Sequence, residues 1–222
     1  MIKISTVAFQ ARNLLRASGM QIPHAHVMEL VASSIGYGTY AALKLDSSVD
    51  MEDLFPEAEH VVQQVNAVKQ RLRDLGQSGQ MANPVSLAIR DAFAQVVQGQ
   101  EEPCRFHASM EDFQDFIFQD VQNEAFGDSN VADAYAETNA YIDEFYTDGY
   151  EFESLAKSEE EWTLEASGTH TGELDDDRPY SGHAGNFTAT YTFRKDGRCG
   201  LVLMDLEFRV DFDRSYDRDD DE

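Results

Sequence analysis

The chain has 222 residues, 42% of them hydrophobic, with 14 Phe, 9 Tyr and a formal net charge of −25. This content of aromatic residues excludes a disordered acidic chain, and the charge excludes nonspecific binding to nucleic acid or anionic membranes, both of which need Lys and Arg to meet phosphate. No apolar run approaches the roughly 20 residues of a membrane-spanning helix, and Met1-Ile2-Lys3-Ile4-Ser5 has no apolar signal core. Cys104 and Cys199 show no partner pattern and read as two free thiols in a reducing cytoplasm.

The charge is uneven. Residues 1–100 carry 8 basic and 9 acidic side chains, whereas residues 101–222 carry 9 and 33. A chain that was acidic only for solubility would spread its carboxylates, so the second half is expected to do electrostatic work. Two domains follow from this division: a near-neutral helical one over 1–100, and an acidic one over 101–222 built from a helix pair and a sheet. A single continuous domain is the other arrangement.

In chain order, residues 5–18 read as a helix stopped by Gly19. Pro23 opens a second helix, His24 to Ser34, that buries Val27, Leu30 and Val31. Gly36-Tyr37-Gly38 breaks it, and Thr39 caps a short third helix through Leu45. Pro56 to Leu75 reads as one long helix with Val61, Val62, Val65, Val68 and Leu72 at helical spacing. Another follows from Pro84 to Val97. The polar stretch Gln98–Pro103 is the candidate domain boundary. Residues 109–126 predict a helix capped by Ser109, and 130–146 one capped by Asn130, with 151–161 as a short further helical segment.

From Trp162 the period changes to two. Trp162, Leu164 and Ala166 alternate with Thr163, Glu165 and Ser167, and Phe187, Ala189, Tyr191 and Phe193 alternate with threonines. Asp196-Gly197 signals a two-residue hairpin, whose register sets Phe193 opposite Gly200, Tyr191 opposite Val202, Ala189 opposite Met204 and Phe187 opposite Leu206. The expected fold is α+β: an N-terminal bundle of five to six helices, then a C-terminal antiparallel meander of three to four strands whose apolar face, with Phe208 and Phe212, is covered by helices.

Pro23-His24, Glu29-Leu30-Val31-Ala32 and Gly36-Tyr37-Gly38-Thr39-Tyr40-Ala41-Ala42-Leu43 carry a resemblance. The stretch 8–44 resembles the N-terminal helical module of small bacterial proteins labelled glyoxalase-related. The resemblance implies a bacterial chain of the kind found on mobile elements, with Tyr40 and Leu43 facing inward. It implies no lyase activity, because the paired βαβββ modules and their metal ligands are missing.

Several groups invite chemistry. His26 and Glu29 lie three apart beside His24, but a zinc site needs further ligands in fixed geometry. His170, Glu173, Asp175 and His183 surround the acidic run Asp175–Asp177 and are weak metal candidates, since calcium loops need alternating oxygen ligands. Cys199, beside Arg198, is the least implausible reactive thiol. Phosphate loops, nucleophile elbows and CxxC pairs are absent. The short helix Thr39–Leu45 could serve as a DNA-reading helix, although Lys44 is its only basic residue.

Asp133, Glu137, Glu144 and Asp148 fall on one face of the expected helix 130–146, with Glu151 and Glu153 following. Carboxylates one helical turn apart lie about 5–6 Å from each other, close to the spacing of phosphates along a strand. These six residues are the expected partner-binding surface. The first reading is a non-enzymatic accessory protein, without a cofactor, that binds a basic surface on a nucleic-acid-handling protein as an inhibitor, antitoxin-like factor or nucleic-acid mimic. A divalent-cation-dependent enzyme or metal-binding protein is the second reading, and a DNA-binding regulator acting through the N-terminal helices is the third.

Overall fold

In a computed structural model, residues 1–99, 103–136, 138, 140–158, 160–174 and 184–213 are described. They form seven α-helices and six strands: α1 Ile4–Ala17, α2 His24–Ser34, α3 Tyr40–Leu45, β1 His60–Val62, α4 Val65–Asp74, α5 Ala82–Val97, β2 Arg105–His107, α6 Met110–Ala125, α7 Ser129–Ala136, β3 Ala140–Phe152, β4 Glu161–Leu174, β5 Ala184–Asp196 and β6 Gly200–Phe212. The sheet order is β2-β1-β6-β5-β4-β3. β1 runs parallel to β2 and antiparallel to β6, so the sheet is mixed.

The class is α+β, but a helical bundle followed by a meander is not the architecture. Strands begin at His60 and alternate with helices. The expected helix 56–75 divides: His60–Val62 pairs with β2 on one side and β6 on the other, and the helix starts only at Val65. Val61 and Val62 are fully buried, and β-branched residues suit a central strand whose partners lie far away in sequence. The expected helix 130–146 also fails. Helix α7 ends at Ala136, and the chain pairs with β4 from Ala140 to Phe152. It is Asp128, rather than Asn130, that caps α7, accepting from the amides of Asn130 and Val131. Residues 151–152 close β3, and no helix forms in the described part of 151–161.

Chain contacts divide the protein into two compact units that interleave along the sequence. Unit 1 takes Met1–Phe113, Ser154–Trp162 and Arg194–Val202; unit 2 takes Gln114–Glu153, Thr163–Phe193 and Leu203–Glu222. In unit 1, α1, α2, α4 and α5 bury Val7, Leu15, Leu30, Val68, Ile89 and Phe93. Glu29 of α2 accepts from the Arg71 guanidinium at 2.7 Å and from the Tyr40 amide at 2.9 Å, fixing α3 and α4 to one carboxylate. Thr39 caps α3 by accepting from the Ala42 amide, and Leu43 is buried while Tyr40 stays half-buried. Phe106 stacks on Phe93 with centroids 4.3 Å apart.

In unit 2, Phe187, Ala189 and Tyr191 of β5 are buried, with Leu164 and Ala166 of β4. The Tyr191 hydroxyl donates to Asp120 of α6. Phe208 is buried and Phe212 meets Tyr135 of α7 edge-on at 5.0 Å, so helices do cover this face. The β5–β6 hairpin forms, with Gly197 at φ +66°, but its turn spans residues 197–199 and the strands close at Asp196 and Gly200. The turn is therefore longer than the expected two residues, and Met204, expected on the apolar face opposite Ala189, is 59% exposed.

The β3–β4 approach leaves no room at Gly168, where a Cβ would lie 2.0 Å from the Tyr146 carbonyl oxygen. Gly168→Ala is expected to destabilise the protein by about 2 kcal/mol or more, lowering the urea midpoint. Gly38→Ala, where a Cβ would meet nothing within 4 Å, is the control and should leave the midpoint within error.

Candidate functional site

The partner-binding residues expected on one helix face are distributed differently. Asp133 lies on α7; Glu144, Asp148 and Glu151 lie on β3; Glu153 follows it; and Glu137 is outside the described residues. The helical stripe is therefore replaced by a strand at the sheet's edge. Opposite residues of an antiparallel pair share a face, and the ladder pairs Tyr141 with Glu173, Glu144 with Thr171, Tyr146 with Thr169 and Glu151 with Glu165. Phe145 pairs with His170 and Tyr150 with Ala166 on the covered face. Register shifts at Asp143 and Asp148 mark two β-bulges.

The result is a solvent-facing set of carboxylates, Glu144 and Glu151 on β3 with Glu165 and Glu173 on β4, all exposed. Glu151 stands directly across from Glu165. Like charges opposite each other in a ladder cost stability, and among the described residues neither carboxylate has an ion-pair partner. Unit 2 holds 25 acidic residues and 4 basic ones, none of them lysine. Unit 2 thus carries −21 of the net −25, and the imbalance seen about residue 100 persists in the structural division. Edge-strand carboxylates were missed as such because the bulges interrupt the alternation that identifies a strand; the cue available was the run of aromatic and β-branched residues from Tyr141 to Phe152.

The metal candidates are not brought together. His170 is 1% exposed. Its Nδ1 meets the Tyr135 hydroxyl at 2.7 Å and its Nε2 the Asp211 carbonyl at 3.1 Å, so both ring nitrogens are engaged. Glu173 points to the other face, three residues along β4. Asp175 and His183 lie outside the described residues. In unit 1, Glu29 is held by Arg71 and Tyr40 as described, which accounts for it without a metal. No group of three or more metal-ligating side chains occurs among the described residues.

Cys104 and Cys199 are both buried and unlinked. Burial pushes the Cys104 thiol up to about 12 and raises that of Cys199 as well, which disfavours the thiolate a nucleophile requires. Arg198 lies over the Tyr37 ring, 4.3 Å from its centroid, and donates to the Gly36 carbonyl, while Arg194 donates to Glu57. Both guanidiniums serve packing in unit 1 instead of activating a thiol.

Unit 1 also buries two histidines that sequence reading did not single out. His60 Nδ1 and His107 Nε2 are 3.1 Å apart, with the Phe113 ring beside both. One nitrogen must donate and the other accept, so a doubly protonated pair would face two N–H groups together. Burial is the main cause that lowers His60 to about 3 and His107 to about 4, with each other's charge and Arg105 adding to the effect at His60. Asp112, beside His107, acts in the opposite direction. No protein-family model, curated protein or solved structure matches the chain.

Because both folded-state values lie below the unfolded value of about 6.5, the neutral pair contributes its full stability above that pH. The contribution is lost as pH falls from about 6.5 toward 3. Between pH 7 and pH 4, urea denaturation should show a loss on the order of 3 kcal/mol for each of the two rings. His107→Asn should flatten that acid limb relative to the native chain; an unchanged slope would remove the pair from the account.

Proposed function

We propose that this protein is a non-enzymatic accessory protein whose unit 2 binds a basic surface of a partner protein, in the manner of an inhibitor or a nucleic-acid mimic. The observation that carries this reading is the unrelieved Glu151–Glu165 pair within the exposed carboxylates of β3 and β4. A fold selected for stability alone would place a Lys or Thr opposite Glu151; a fold whose acidic surface meets cations in a complex keeps both carboxylates. Such a surface accelerates association with a basic protein and makes it salt-sensitive. Nucleic-acid-handling proteins present surfaces of this kind. Two buried, unlinked thiols fit a reducing compartment, and the cytoplasm is the location we assign. Among the described residues no helix is long and apolar enough to cross a membrane.

The partner-binding surface is assigned to Glu144, Glu151, Glu165 and Glu173, with Asp148 at the second bulge. Asp133, on α7, lies outside it. Using the full chain as bait in extracts of its host, the partner captured at low salt should elute near 0.5 M salt. It should be lost by Glu144→Gln/Glu151→Gln/Glu165→Gln and retained by Asp115→Asn/Glu124→Gln/Asp133→Asn, which removes equal charge from exposed helix positions of the same unit. Equal capture by both variants would defeat the assignment to the sheet.

The pair also predicts a trade between stability and binding. Glu151→Lys should stabilise the isolated protein by about 0.5–1 kcal/mol through a new cross-strand ion pair with Glu165, while weakening the complex. A thermal melt that fails to rise would show that the two carboxylates do not oppose each other.

A further inference from the structure

We infer that β3 is an acceptor edge for an extended, lysine- or arginine-bearing segment of the partner, which pairs with it as an added strand. This rests on the reading of unit 2 as a basic-partner binder and specifies how the partner is held.

The sheet ends in two edges of different kind. β2 is three residues long, too short to template a strand, whereas β3 is thirteen residues long and pairs only with β4 among the described strands. A long edge offers a row of backbone donors and acceptors. Edges are commonly blunted by charges, proline or bulges; β3 has no lysine or proline, and its two bulges and its acids deter a neutral or acidic strand more than a cationic one. It carries carboxylates instead: Asp143, Glu144, Asp148 and Glu151 are all exposed.

Carboxylates select among possible strands. A second copy of this chain added at β3 would bring four acids against four acids, in a protein of net charge −25. A cationic segment meets complementary charge at every one of them. The edge also exposes Tyr141 by 66% and Tyr146 by 55%, the latter even with Phe118 of α6 edge-on against its ring. Aromatic faces accept Lys and Arg as well as aliphatic stems.

The bulges define where the added strand registers. They divide the β3 ladder into Ala140–Ile142, Glu144–Thr147 and Gly149–Phe152. Glu144–Thr147 is the stretch bracketed on both sides by a bulge carboxylate, Asp143 before it and Asp148 after it. Backbone pairing at these four residues, with cations directed to Asp143 and Asp148, is the mode the geometry points to. It is strand addition, in which main-chain bonds give affinity and flanking side chains give specificity.

The test uses the full chain and a fluorescein-labelled ten-residue peptide alternating Lys and Thr, beside a twin in which every backbone amide is N-methylated. The twin keeps the charge and loses the donors. Anisotropy at low salt should show the unmodified peptide binding at least tenfold more tightly, and hydrogen exchange should show new protection at Glu144–Thr147. Equal binding of the two peptides would overturn strand addition and leave the basic-partner reading standing. Binding of neither would overturn both. Sedimentation showing a dimer that the peptide dissociates would overturn the choice of occupant in favour of a second copy.

Discussion

The antiparallel ladder between β3 and β4 decides where the charge of this protein can go. As a helix, 130–146 would have spread its carboxylates along a rod and turned Phe145 and Ile142 toward a neighbour. As a strand it places Phe145 over His170, with ring centroids 5.5 Å apart, and sends Glu144 and Glu151 to the opposite side. The ladder is closed by contacts that tolerate little change. Gly168 admits the Tyr146 carbonyl only because it lacks a Cβ, and the Tyr135 hydroxyl reaches both His170 and the Thr171 carbonyl. Helix α7, the ladder and the C-terminal end of β6, through the Asp211 carbonyl, are thereby joined around one buried imidazole.

Unit 1 depends on a different kind of constraint. Glu29 collects the Arg71 guanidinium and the Tyr40 amide, so one carboxylate on α2 sets α3 and α4. The His60–His107 contact does the equivalent for β1 and β2, but with groups that hold only while neutral. Acid gives the imidazoles a charge that their buried setting disfavours, and so loosens the contact between β1 and β2.

The helices α1, α2, α3 and α5 were legible because each is announced by local chemistry: a glycine stop at Gly19, Pro23 before α2, Thr39 as a cap, and apolar residues at helical spacing. β4 and β5 were legible because Trp162–Ser167 and Phe187–Phe193 alternate without interruption. His60–Val62 was not, since three residues cannot display a period and their partners lie at Arg105–His107 and Gly200–Leu201. β3 was not, because bulges at Asp143 and Asp148 bring its apolar residues to spacings that imitate a helix. The acidic residues of the candidate site were visible as residues; the surface they share was not, because it depends on pairing with β4, which composition does not encode. The hairpin turn at Gly197 was placed correctly, and its extra residue escaped because Arg198 and Cys199 carry no turn signature of their own.

The absence of lysine from unit 2 has a practical chemical consequence. Amine-directed reagents will label and cross-link this protein only through unit 1 and the N-terminus, so a partner lying across β3 and β4 would leave no amine–amine link to that surface. The same surface is well suited to carbodiimide coupling, which joins a carboxylate to a lysine at zero length. Glu144, Glu151, Glu165 and Glu173 would each become an amide to whatever lysine it touches, and the linked pairs would read out the register of the contact at those lysines.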